Sequence, residues 1–221
     1  MSQRSEEKDF REGLVYDPAV KGFDSNFWKG DTANLLFDTV KNNIKIGDTG
    51  IAGSMSSYSQ YLYGDFEFTM NTDCLSPDSN DSEKYWGLRN LGDTLERGAA
   101  YFEMRYDTVT GGDTGNTTPL RAVIRSESGT VQRKVITWDS AWGNGANTRY
   151  RISWEPDGYT FLINDTVVAT LGDKPDSSNS VFQINTSIPQ ALRLSNRSLD
   201  TTDSSVTSLG LLAIRNARKI I

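Results

Sequence analysis

The 221-residue sequence contains no histidine. That removes histidine-ligated zinc sites, the Ser-His-Asp triad and any histidine general base at once. There is one cysteine, Cys74, so no intrachain disulfide can form. With no histidine or second cysteine beside it, Cys74 is expected to be a small, partly buried residue and not a nucleophile or redox centre. No apolar run is long enough to span a membrane. Met1 to Arg11 are polar and charged and lack the apolar stretch of a secretory leader, so no export is expected. Location stays open between the cytoplasm and the surface of a virion. Without a secretory route, the Asn-X-Ser/Thr sequons at Asn80, Asn116, Asn164, Asn185 and Asn196 are products of a Ser/Thr/Asn-rich composition. Positive charge is also scarce: 23 Lys and Arg face 29 Asp and Glu, a net charge of −6. That is the wrong sign for binding a nucleic-acid backbone.

Aromatic residues are plentiful, with 9 Tyr, 9 Phe and 5 Trp, although hydrophobic residues make up only 36%. Many of them lie in short segments of period two. In Gly98–Asp107, Ala100, Phe102, Met104 and Tyr106 share one face of an extended strand, and Tyr101, Glu103, Arg105 and Asp107 share the other. Tyr63–Met70 alternates likewise, with Phe66, Phe68 and Met70 opposite Asp65, Glu67 and Thr69. Lys84–Leu91 reads as a short strand around Trp86. Leu120–Ser126 and Val131–Trp138 read as a hairpin. Arg149–Trp154 leads through the turn Glu155-Pro156-Asp157-Gly158 into a return strand, Tyr159–Ile163. Residues 51–60, small and serine-rich, read as a loop or edge. No long amphipathic helix and no internal repeat is present. The expected fold is all-β, a two-sheet antiparallel jelly-roll sandwich. The expected sandwich spans residues 22–215, with an N-terminal arm at 1–21 and a basic tail at 216–221.

The polar faces of these strands are read as one charged surface carrying Glu67, Arg89, Glu103, Arg105, Asp107, Arg121, Arg125, Arg149 and Arg151. A sheet face lined with aromatic rings and bidentate groups suits sugars: rings stack on apolar sugar faces, and Arg, Asp and Asn bond the hydroxyls. The alternative is a solvated face, or one covered by another subunit. The expected ligand-binding set is Trp86, Arg89, Tyr101, Glu103, Arg105, Asp107 and Trp142. Core packing competes with ligand stacking for Trp86, whereas Trp142, in a Gly/Asn-rich loop, is expected to be exposed. No metal is expected. The oxygen-rich segments Asp73–Ser82 and Gly111–Asn116 make calcium the alternative, although no Asp-X-Asp-X-Asp-Gly loop occurs.

Three motifs in order, Tyr63-Gly64-Asp65-Phe66-Glu67, Tyr85-Trp86-Gly87-Leu88 and Glu103-Met104-Arg105-Tyr106-Asp107, resemble the concanavalin A-like lectin/glucanase superfamily. The laminarinase and lichenase type is the nearest match. Tyr150–Tyr159 and the Leu209–Ile214 strand extend the resemblance over roughly residues 30–215. It implies a concanavalin A-like sandwich, in a superfamily that mixes hydrolases, lectins, adhesion modules and viral surface domains. The glucanases carry Glu-X-Asp-X-Glu on one strand, the first Glu as nucleophile and the last as acid/base. Here the matching positions read Glu103, Arg105, Asp107. Residues 103 and 107 stand about 13 Å apart at Cα, and a retaining hydrolase brings its carboxyls to about 5 Å. Asp107 is the shorter acid. A cation between two carboxylates holds both as anions, whereas a general acid must carry a proton. No catalytic residue is therefore expected; were the chain an enzyme, Glu103 and Asp107 would carry the reaction. Three functions remain: a non-catalytic carbohydrate-binding or surface module, a decoration or attachment subunit of a phage-like particle, and a β-glucan hydrolase with an altered catalytic strand. The partner is accordingly a glycan or another protein subunit, with self-assembly in the second case.

Overall fold

The computed structural model describes residues 13–30, 34–47, 52–72, 83–90, 98–105, 120–126, 130–137, 139–142, 147–172, 188–197 and 207–220. Its strands are, in chain order, β1 (Leu14–Tyr16), β2 (Trp28–Gly30), β3 (Leu35–Asp38), β4 (Asn43–Ile46), β5 (Gly53–Leu62), β6 (Gly64–Thr72), β7 (Glu83–Arg89) and β8 (Ala99–Arg105). They continue with β9 (Leu120–Arg125), β10 (Val131–Ile136), β11 (Thr148–Glu155), β12 (Gly158–Ile163), β13 (Thr166–Gly172), β14 (Gln190–Arg197), β15 (Thr207–Arg215) and β16 (Arg218–Ile220). A helical turn, α1 (Pro18–Lys21), is capped by the Asp17 carboxylate, which accepts from Ala19 N.

The strands form two eight-stranded antiparallel sheets. The first runs β10-β9-β8-β7-β14-β5-β16, with β2 on β5; the second runs β13-β12-β11-β6-β15-β4-β3, with β1 on β15. Period two decides what each presents inward. Trp86, Leu88, Phe102, Met104, Leu192 and Leu194 of the first sheet meet Phe66, Phe68, Tyr150, Ile152, Phe161 and Leu212 of the second in one core. Its centre is aromatic: Trp86 stacks on Phe102 at 6.0 Å, and Tyr150 meets Trp86 edge-on at 4.8 Å. Among the described residues no helix is long and apolar enough to cross a membrane.

Three boundaries differ from the sequence reading. Residues 14–21, assigned to an arm, belong to the sandwich: β1 pairs with β15, and Tyr16 is buried, its hydroxyl donating to Gly22 O and accepting from Asp24 N at 3.2 Å. The tail also pairs, because β16 lies along β5. Residues 53–62 form a ten-residue strand inside the first sheet, where a loop or edge was expected. Gly53, Met55 and Ser57 alternate inward there, and the Ser57 hydroxyl accepts from Leu192 N at 3.0 Å where the β14–β5 register shifts. A small side chain with an acceptor fits a bulge; its low apolarity conceals the strand.

Burial pushes the Tyr61 hydroxyl up to about 12, and the same cause raises Tyr159, against a bond from Gln190 Nε2 at 3.0 Å. Folding therefore favours the protonated phenols. Their contribution is complete below the unfolded value of about 10. It declines as pH rises, by about 1.4 kcal/mol per unit for Tyr61 up to its folded value. Thermal melts between pH 8 and 12 should show a falling midpoint, with a shallower fall for Tyr61→Phe. An equal slope in both proteins would exclude Tyr61 as a source.

Candidate functional site

On the outer face of the first sheet, β8 presents Tyr101 and Glu103 because Ala100, Phe102 and Met104 turn inward. Register then fixes their neighbours. Glu103 lies between Tyr85 of β7 and Arg121 of β9; Tyr101 lies between Gly87 and Val123. Gly87 in turn faces Arg193 of β14. A position with no side chain is thus surrounded by Tyr85 and Arg89 along its own strand and by Tyr101 and Arg193 across from it. An added Cβ at Gly87 would stand 2.5 Å from Ala100 O and 2.6 Å from Tyr101 Cα, so the close approach of β8 requires glycine there.

The side chains around this glycine engage one another. The Tyr85 and Tyr101 rings tilt together at 5.8 Å. The guanidinium carbons of Arg89 and Arg193 lie 5.0 and 5.7 Å from the centroid of Tyr85, and Arg89 Nη1 also donates to the Tyr85 hydroxyl. Arg125 Nε donates to the Tyr101 hydroxyl at 3.1 Å. Burial, then the charge of Glu103, raises Tyr101 above the ordinary phenol range; Arg125 opposes both. Burial also lowers Arg89, and the like charge of Arg193 acts in the same direction, against the Tyr85 phenol.

Glu103 is 2% exposed. Arg121 Nη1 stands 3.6 Å from its Oε2, an ion pair too long for a hydrogen bond, and no donor among the described residues satisfies that oxygen. A shielded carboxylate oxygen with an unused lone pair is costly in a folded protein. Chemically the face offers one acceptor, several guanidinium donors and two phenol rings.

The structure thus brings together Arg89, Tyr101 and Glu103 of the expected set. It corrects two others. Trp86 is fully buried on the opposite, inner face, where its ring fills the core and cannot meet a ligand beside Glu103. Trp142, expected to be exposed, sits in a short 3₁₀ turn, half-buried and packed against the core. Arg105 occupies β8 opposite Glu83, but its side chain and the whole of Asp107 lie outside the described residues, as do Cys74 and the segments 73–82 and 111–116 weighed for calcium. Among the described residues no group of three or more His, Cys, Asp or Glu converges on a metal position. The single charged surface read from sequence is in fact two. Glu67, Arg149 and Arg151 lie on the second sheet, where Arg215 reaches Glu67 at 3.8 Å and Arg149 and Arg151 reach Asp165. Sequence reasoning missed Tyr85 and Arg193 as site residues. The signal for Arg193 was faint: a polar residue between Leu192 and Leu194.

This architecture is the concanavalin A-like lectin/glucanase fold. No family model matches the chain, and a search of the curated proteins finds no match. Solved structures do match it. The laminarinase catalytic domain from Thermotoga maritima superposes with a TM-score of 0.67 at 11% identity, covering 94% of this chain and 98% of the other. A Bacillus licheniformis β-glucanase gives 0.61 at 10% identity, covering 92% and 97%. The Emp47p carbohydrate recognition domain gives 0.62 at 9% identity, covering 95% and 96%. At these identities the likeness establishes fold.

Proposed function

We propose that the chain binds a saccharide on the outer face of its first sheet, around Tyr85, Tyr101 and Glu103, and does not cleave it. The observation that carries this reading is the half-buried Tyr85 ring on that outer face, with the Arg193 guanidinium 5.7 Å from its centroid and the Tyr101 ring 5.8 Å away. A sugar ring suits that aromatic surface, and its hydroxyls accept from the half-buried Arg193 guanidinium. The fold neighbours give this weight, since a carbohydrate recognition domain is among them. Against cleavage stand an arginine at position 105, where the resembling glucanases keep an aspartate, and the shorter Asp107 at the position matching their acid/base glutamate.

Calorimetric titration against a panel of oligosaccharides, with reducing-end assays on the same panel, tests this. The expected result is saturable binding, reduced at least tenfold in Tyr85→Ala, and no new reducing ends. Turnover abolished in Glu103→Gln would establish the hydrolase reading instead. Absence of binding to every saccharide would remove the lectin reading.

A further inference from the structure

The strand register around Gly87 brings two cations together. Arg89 lies two residues along β7 from Gly87, Arg193 faces it from β14, and both guanidiniums rest on the ring of Tyr85, at 5.0 and 5.7 Å. Assembling like charges in buried ground is unfavourable, and the depressed proton affinity of Arg89, from burial and from Arg193, reports that cost. Among the described residues Arg193 meets Tyr85 and no carboxylate. Glu103, the described acid of this face, is engaged instead by Arg121 on the far side of β8. The chain as a whole carries −6, so a local concentration of arginine runs against its composition. An anion over Gly87 would offset the repulsion and take paired N–H bonds from planar guanidiniums, which fit carboxylate and sulfate oxygens in a way that lysine does not.

We propose that the saccharide bound by this face is acidic, its carboxylate or sulfate group held between Arg89 and Arg193 with the sugar ring beside Tyr85. This rests on the saccharide-binding reading above and names the class of sugar. Arg193 is half-buried and so the more accessible of the two guanidiniums, while Arg89 and Tyr101 are buried.

The test titrates the full chain with three oligosaccharides of equal length: an oligogalacturonate, a sulfated oligogalactan and a neutral β-glucan oligosaccharide. At least one acidic ligand is expected to bind tenfold more tightly than the neutral one, and more weakly as salt is raised. Arg193→Gln should reduce acidic binding about tenfold, which is about 1.4 kcal/mol, with Arg193→Lys between the two. Arg133→Gln, an exposed arginine on edge strand β10, controls for net charge and should change little. Neutral binding as tight as both acidic ligands would overturn the acidic assignment and leave the saccharide reading standing. So would acidic binding indifferent to Arg193→Gln, or reduced equally by Arg133→Gln. No binding in any arm would overturn both.

Discussion

Trp86→Ala is expected to lower stability by about 3–5 kcal/mol, whereas Tyr85→Ala, one residue away, should cost far less and instead weaken ligand binding at least tenfold. The two aromatic rings leave the same strand in opposite directions. Trp86 is 0% exposed, stacked on Phe102 and met edge-on by Tyr150, so truncation opens a cavity at the point where the sheets are held together. Tyr85 is half-buried on the outer face, where its ring supports Arg89 and Arg193. Losing those contacts is worth about 0.5–1 kcal/mol each. Denaturant midpoints and calorimetric titration on both variants separate the effects. A Trp86→Ala protein of native stability that had lost its ligand would put that ring on the wrong face here.

Gly87→Ala should be nearly as severe, and should strike stability and binding together. The added methyl group would meet Ala100 O at 2.5 Å, Tyr101 Cα at 2.6 Å and Tyr101 Cβ at 2.7 Å. Two of those three atoms are backbone, so relief requires β7 and β8 to separate and no rotamer change suffices. Overpacking of this kind costs about 1–3 kcal/mol or more, about 2–4 °C of melting temperature per kcal/mol in a domain of this size. Because Tyr101 is carried by the strand that must move, the ring pair with Tyr85 opens as well. Gly210→Ala is the matched control: its new Cβ would find Thr69 O no nearer than 3.5 Å, ordinary contact, and should change stability by less than about 0.5 kcal/mol. Equal effects in the two variants would mean that loss of glycine as such, and not the approach of β8, is responsible.

Much was decided by the sequence alone. Alternation in Gly98–Arg105, Gly64–Met70 and Thr148–Glu155 fixed which residues turn inward, since successive side chains on a strand leave on opposite faces whatever the partner strand is. The Pro156-Asp157-Gly158 turn fixed the β11–β12 hairpin for the same local reason. Where alternation was ambiguous, only tertiary structure could choose. Tyr85 and Trp86 give β7 an aromatic on each face, so its phase depended on Phe102 and Tyr150 packing against the larger ring. The serine-rich β5 lacked contrast until β14 and β16 supplied its hydrogen bonds. Above all, the assignment of strands to sheets is non-local. It separated Glu67, Arg149 and Arg151 from Glu103, and it brought Arg193 from late in the chain to the ring of Tyr85. Period two governs the face of a residue, but pairing between distant strands governs its neighbours, and the chemistry of this face is a matter of neighbours.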